Sequence, residues 1–293
     1  MNVIFGGLFY FFIAIIGITP FFILYLFSDF TRIILGNWIK YRQKVIQSNL
    51  KRVFPDKRES EINELIKLTY QNLADNLAES LKTFTLRKST IAKRHTILNP
   101  ELLDKYLQNG QSVIGVTAHY NNWEWGSVSA GVQTPYRYIA FYKPIRNKII
   151  NKAILKSRSR CGTELVSIYE TSKTFEANKN KPCVYLMAAD QSPSDKQLKH
   201  AYWIDFLGQR TAFLHGMEKH AKANNYPVIY INIQRIKRGF YTVELSDLCS
   251  NPSALKDGEL TKRYVKKLEE IIIAKPENWL WSHKRWKHSP ETK

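Results

Sequence analysis

"SVIGVTAHYNNWEWG", residues 112–126, runs from small and β-branched apolar residues through a histidine and two asparagines into an aromatic and acidic segment. An apolar run this short, ended by polar residues, reads as a strand buried on both faces, the kind found inside a parallel sheet. The asparagines are helix-start residues, and Glu124 suits a first helical turn. Strand, turn and helix within fifteen residues make one half of an alternating α/β unit.

The alternation continues outward from this stretch. "YRYIAFYK", "TELVSI", "PCVYLMAAD", "PVIYINIQRI" and "FYTVELSDL" are further strand-like runs, several separated by helix-compatible segments such as 146–157 and 211–225. The fold class expected is α/β, with a central, mostly parallel sheet flanked by helices and an antiparallel excursion where the last two runs lie close together. In such folds functional groups gather beyond the C-terminal ends of the strands. No internal repeat or low-complexity tract interrupts the pattern.

The N-terminal part differs in character. Val3 to Phe27 contain no charged residue, and at about 1.5 Å per residue one helix of that length would span a hydrocarbon core of roughly 30 Å. Pro20 could kink such a helix or turn it into a hairpin that dips in and returns. A basic leader before the run and small residues after it are both missing, so the segment is expected to be retained. Basic residues follow it (Arg32, Lys40, Arg42, Lys44), which places the body in the cytoplasm by the positive-inside tendency. Ile62, Leu65, Ile66, Leu73, Leu77 and Leu81 then recur at helical spacing, with Pro55 dividing two helical stretches. The expected division is a membrane anchor at 1–28 and a cytoplasmic part at 29–293, the latter comprising a helical collar at 29–95 and an α/β core at 96–293.

A formal net charge of +19 points to anionic partners: nucleic acid, an anionic bilayer, or an acidic substrate or carrier. Cys161, Cys183 and Cys249 lack CxxC spacing, and the histidines form no HExxH or comparable ligand set, so no metal and no disulfide framework is expected. P-loop, GxGxxG and GxSxG signatures are absent, which leaves nucleotide, dinucleotide and serine-hydrolase chemistry without support and no cofactor expected. A membrane-tethered nucleic-acid binder, with Trp279, Trp281 and Trp286 stacking on bases, would also use the positive charge.

His119 stands at a strand end, and Glu124 lies five residues on. An imidazole backed by a carboxylate can take a proton from a hydroxyl as that hydroxyl attacks an activated acyl group. Glu124 could equally complete a capping box with Asn121 as N-cap. The local stretch leaves both roles open.

"HYNNWE" resembles the HxxxxE/D motif of the lysophospholipid acyltransferase superfamily, specifically the lipid A biosynthesis (lauroyl and myristoyl) acyltransferase branch. The resemblance extends over nearly the whole chain, through "KVIQSNLKRVFPD", "AFYKPIRN", "SRSRCG", "AADQSP", "DFLGQRTAF" and "PENWLWSHKRWK". It implies O-acyl transfer from an acyl thioester, carried by acyl carrier protein or acyl-CoA, to a lipid acceptor at the bacterial inner membrane. His119 would be the general base and Glu124 its charge-stabilising partner. Asn122 would shape the acceptor pocket, and Arg158 or Arg160 would steady an oxyanion or phosphate. Tyr142, Lys143, Asp190 and Gln191, at two further strand ends, complete the substrate-binding set. The surplus charge then suits an anionic membrane surface and an acidic carrier, and nucleic acid is not required. Tyr120 replaces a phenylalanine common in the family. The acceptor could also be an aminolipid or a mannosylated phosphoinositide, and no residue fixes acyl length.

Overall fold

The computed structural model describes residues 2–290; Met1 and residues 291–293, the outermost positions of the expected anchor and core, lie outside it. The apolar N-terminus is broken at Thr19–Pro20 into α1 (Asn2–Ile18) and α2 (Phe21–Ile33), because proline cannot donate the hydrogen bond that would carry one helix into the next. Of the forms the sequence leaves open, one long helix or a run broken at Pro20, the structure has the broken one, as two shorter helices. Among the described residues no single helix is long and apolar enough to cross a membrane; a bent pair, 21–38 with 43–53, meets the length and composition at an angle of 87°. The chain continues through a π-helical turn (Ile34–Trp38), α3 (Gln43–Val53) and α4 (Glu59–Lys82).

From α5 (Lys88–Arg94) and β1 (His95–Ile97) onward, strands and helices alternate. They are α6 (Asp104–Leu107), β2 (Val113–Thr117), α7 (Trp123–Gln133), β3 (Tyr138–Tyr142), α8 (Lys148–Ser159), β4 (Thr163–Ser167), α9 (Thr171–Ala177) and β5 (Val184–Ala188). After α10 (Asp195–Leu198), β6 (Ala201–Phe206) and β7 (Gln209–Leu214) form a separate antiparallel hairpin. Residues 211–214 are thus a strand rather than the start of the expected 211–225 helix, which is confined to α11 (Gly216–Asn224). β8 (Val228–Lys237), β9 (Phe240–Cys249) and α12 (Glu259–Ala274) complete the regular elements.

The seven-stranded sheet has the order β1-β9-β8-β2-β5-β3-β4, parallel throughout except for the antiparallel β8–β9 pair. This is the mixed, mostly parallel sheet with flanking helices that the apolar runs predict. One core layer packs α3, α4 and α12 on one side of the sheet, α12 burying Leu260, Tyr264, Val265, Leu268 and Ile272; the other lies under α5 and α7. Gly239 turns the β8–β9 hairpin at φ +75°, and a side chain there would collide with the Tyr25 hydroxyl, so the hairpin tip seats directly against α2.

Candidate active site

β2 and β5 are adjacent and parallel, with Thr117 opposite Ala188. Two residues beyond each strand, at the same C-terminal edge, stand His119 and Asp190. The imidazole Nδ1 lies 2.6 Å from Asp190 Oδ1, and the His119 backbone N–H donates to Oδ2 at 3.1 Å. Trp279 Nε1–H donates to the same Oδ2 at 2.9 Å. Burial by itself would raise the Asp190 pKa, but the facing His119 charge and these three hydrogen bonds override it and hold the carboxyl down at about 2. An ionised carboxylate only accepts, so the proton between them sits on Nδ1 and Nε2 is left as the basic nitrogen. Gln191 Nε2 lies 3.1 Å from it. The edge of Trp123 covers the ring, with centroids 5.2 Å apart.

The carboxylate at His119 is therefore Asp190, where the sequence places Glu124. Glu124 instead forms an ion pair with Arg158. The cause is the start of α7: Asn121 adopts a left-handed conformation at φ 51°, and Asn122, not Asn121, is the N-cap, accepting from the Trp125 backbone N–H at 3.0 Å. Glu124 is then the second helical residue and turns toward α8. Asn122 is fully buried, its amide donating to Glu79 Oε2 at 2.5 Å, so it holds α7 to α4 and lines no open pocket.

The two arginines divide as their spacing on a helix requires. Arg158 reaches Glu124, and burial pulls its guanidinium down to about 10, still cationic at neutral pH. Arg160 turns away and donates to the Thr83 carbonyl at 2.5 Å, just past the end of α4. Tyr142 and Lys143 end β3 at the same edge of the sheet; the Tyr142 hydroxyl accepts from Asn151 at 3.4 Å, and Lys143 is exposed. Trp279 and Trp281 are buried in the core, which removes them as base-stacking platforms. Tyr120 uses the hydroxyl that a phenylalanine would lack, donating to the Lys275 carbonyl at 2.9 Å. Glu79 escapes the sequence reading, and Trp279 enters it only as a candidate for base stacking, not as a donor to Asp190. Among the described residues no three His, Cys, Asp or Glu side chains gather as metal ligands.

With this geometry in view, the comparisons with known proteins give the class. The bacterial lipid A biosynthesis acyltransferase family model matches residues 3–288. The chain is 22% identical over 258 residues to the lipid A biosynthesis lauroyltransferase of Escherichia coli K12, covering 87% of this chain and 82% of that one. It is 22% identical over 259 residues to the palmitoleoyltransferase of the same strain, covering 86% and 81%. A lipid A biosynthesis acyltransferase of Haemophilus influenzae shares 22% over 256 residues, covering 84% and 77%. The protein is an acyltransferase. It belongs to the bacterial lipid A biosynthesis acyltransferase family.

Proposed function

We propose that this enzyme transfers a fatty acyl chain from the thioester of an acyl carrier protein to a hydroxyl of a lipid A precursor, at the cytoplasmic face of the inner membrane. The observation that carries the proposal is the His119–Asp190 pair at the open end of the sheet, with Nε2 facing away from the carboxylate. The acceptor hydroxyl gives its proton to Nε2 as its oxygen attacks the thioester carbonyl. Asp190 stabilises the imidazolium so formed. When the tetrahedral intermediate collapses, the C–S bond breaks, and the thiolate leaves with the proton from Nε2. The product ester and free thiol restore the starting histidine.

Gln191 occupies the hydrogen-bonding direction that the acceptor hydroxyl takes up, so substrate entry displaces its amide from Nε2. The Glu124–Arg158 pair adds a fixed cation for the developing oxyanion or an acceptor phosphate. Membrane association is assigned to α1 and α2, where Leu8, Phe11, Phe12, Phe22, Leu26, Phe27 and Phe30 stand more than half exposed.

The test is acyl transfer from acyl carrier protein and acyl-CoA donors to a panel of lipid acceptors. His119→Ala should lose at least about a hundredfold in rate, the scale of removing a general base. A His119→Ala enzyme with full turnover overturns the mechanism; preferential use of an aminolipid or mannosylated acceptor overturns the substrate assignment.

A further inference from the structure

Residues 276–288 add no strand to the sheet, yet they hold both halves of the His119–Asp190 pair. On the histidine side, Trp279 bridges Tyr120 in antiparallel fashion, the Leu280 N–H donates to the His119 carbonyl at 3.1 Å, and the Asn121 N–H donates to the Asn278 carbonyl at 2.9 Å. On the aspartate side, Trp279 donates to Asp190, the Ser192 backbone N–H donates to His283 Nε2 at 3.0 Å, and the Ser192 hydroxyl donates to the Arg285 carbonyl. Arg285 is 2% exposed; it donates to Ser192 Oγ at 3.2 Å and to the Ala212 carbonyl at 2.9 Å while lying over the Phe213 ring. The segment is itself held from behind: Asn49 donates to the carbonyls of Trp281 and His283, and Arg42 donates to that of Ser282, each at 2.9 Å.

Of the three hydrogen bonds to the Asp190 carboxylate, two come from His119 itself. They tie the carboxylate to the histidine but leave the pair free to shift together. The third, from Trp279, comes from outside the pair. Edge contacts with Trp281 (4.8 Å), Phe206 (5.8 Å) and Trp286 (6.1 Å) fix the plane of this indole, so its N–H has one direction. A buried carboxylate deprived of a donor is less stabilised as an anion and binds a neighbouring proton more tightly.

We propose that Trp279 is a positioning residue of the acyl-transfer site: its indole N–H fixes the Asp190 carboxylate behind His119 and thereby sets the orientation and basicity of the base. The inference rests on the assignment of His119 as that base. The other titratable or charged groups acting on the pair are Arg285 and His283 from the C-terminal segment, Tyr264 from α12 and Tyr230 from β8, and all of them are left in place by a change at Trp279.

The experiment compares Trp279→Phe with Trp281→Phe, whose indole N–H goes to the Pro276 carbonyl instead of Asp190. Both remove an indole from the same core. Trp279→Phe should lower kcat roughly tenfold, the scale of losing a partner that orients a functional histidine. KM should stay within about twofold, and the acid limb of the pH–rate profile should move to higher pH because the imidazolium holds its proton more tightly. Trp281→Phe keeps a ring against the Trp279 indole and leaves the Trp279 donor on Asp190, so it should leave the acid limb where it is. Benzothienylalanine at position 279, with sulfur in place of N–H in a ring of the same shape, should reproduce the shift and serves if the phenylalanine variant folds poorly. An unmoved acid limb, or equal losses in the two phenylalanine variants, overturns the proposal. An active His119→Ala in the same assay overturns the assignment of the base as well, whereas an inactive His119→Ala beside an unmoved acid limb sinks the role of Trp279 alone.

Discussion

A neutral imidazole is a better base when something nearby favours its protonated form, and in the proposed mechanism Asp190, 2.6 Å from His119 Nδ1, is that group. Asp190→Asn keeps the side-chain shape but removes the charge and the demand for Nδ1–H. Its acyl transfer should fall by about 10³- to 10⁴-fold, as when the carboxylate behind a histidine base is lost. Glu124→Gln should cost far less, because it breaks only the ion pair with Arg158; a larger loss for Glu124→Gln than for Asp190→Asn would return the partner role to Glu124. Arg158→Ala should lower turnover by about a hundredfold. Arg160→Ala should leave turnover alone and cost roughly 1 kcal/mol in unfolding free energy, through the Thr83 carbonyl it no longer satisfies. Asp190 also sets an acid limit: its folded pKa lies below the usual 3.8, so the stability it contributes is complete above about pH 4 and lost as pH falls toward 2. The place of His119 just beyond a strand end is legible from the apolar run that precedes it. Its partner is not, because 71 residues separate the two and only the in-register β2–β5 pairing brings "TAH" and "AAD" side by side.

α4 is the element that ties the parts together, and it does so with buried acids. Asp75, with no exposed surface, accepts from Ser28 on α2 and from Arg235 and Arg238 of the β8–β9 hairpin. One turn on, Glu79 accepts from Tyr25 of α2, from Tyr241 of β9 and from Asn122, the cap of α7. Burial drives the Glu79 pKa from 4.5 up to about 7, against the pull of these donors. A carboxyl whose folded pKa is raised favours the folded state most fully below its unfolded value, and that contribution fades as pH rises from 4.5 through 7. Replacement by glutamine should therefore remove up to about 3 kcal/mol of pH dependence, so that Glu79→Gln gains on the native chain between pH 4.5 and 8 in denaturant unfolding. A constant difference across that range would contradict it. The helix itself is plain from its apolar spacing, but the inward face of its second half is not. There Asn72, Asp75, Glu79 and Lys82 are buried while Leu77 is half exposed, an inversion that hydropathy cannot reveal because the partners lie on α1, α2, the cap of α7, the distant hairpin and the C-terminal segment.

For the whole molecule, exposed apolar helices joined to a body of net charge +19 predict binding to anionic vesicles that weakens as salt rises. Removing residues 2–18 should release most of the protein from such vesicles and reduce transfer to bilayer-embedded acceptor far more than to detergent-dispersed acceptor; an unchanged bound fraction would assign the attachment to α2 and α3. The parallel sheet is legible because β2, β3, β5 and β8 are buried runs. The β6–β7 hairpin is not, since "QRTAFLHG" leads without a break into a helix. The bonds from residues 278–285 to the strand ends also impose an order on synthesis. His119 emerges from the ribosome 160 residues before Trp279 (279 − 119), a delay of roughly ten to thirty seconds at 5–20 residues per second. Through that interval the apolar helices are already free to find the bilayer, but Asp190 lacks its outside donor. On the proposed function, the nascent chain would meet the membrane before its base is finished, and an acyl thioester would find a competent site only after the last strap of sequence has closed over it.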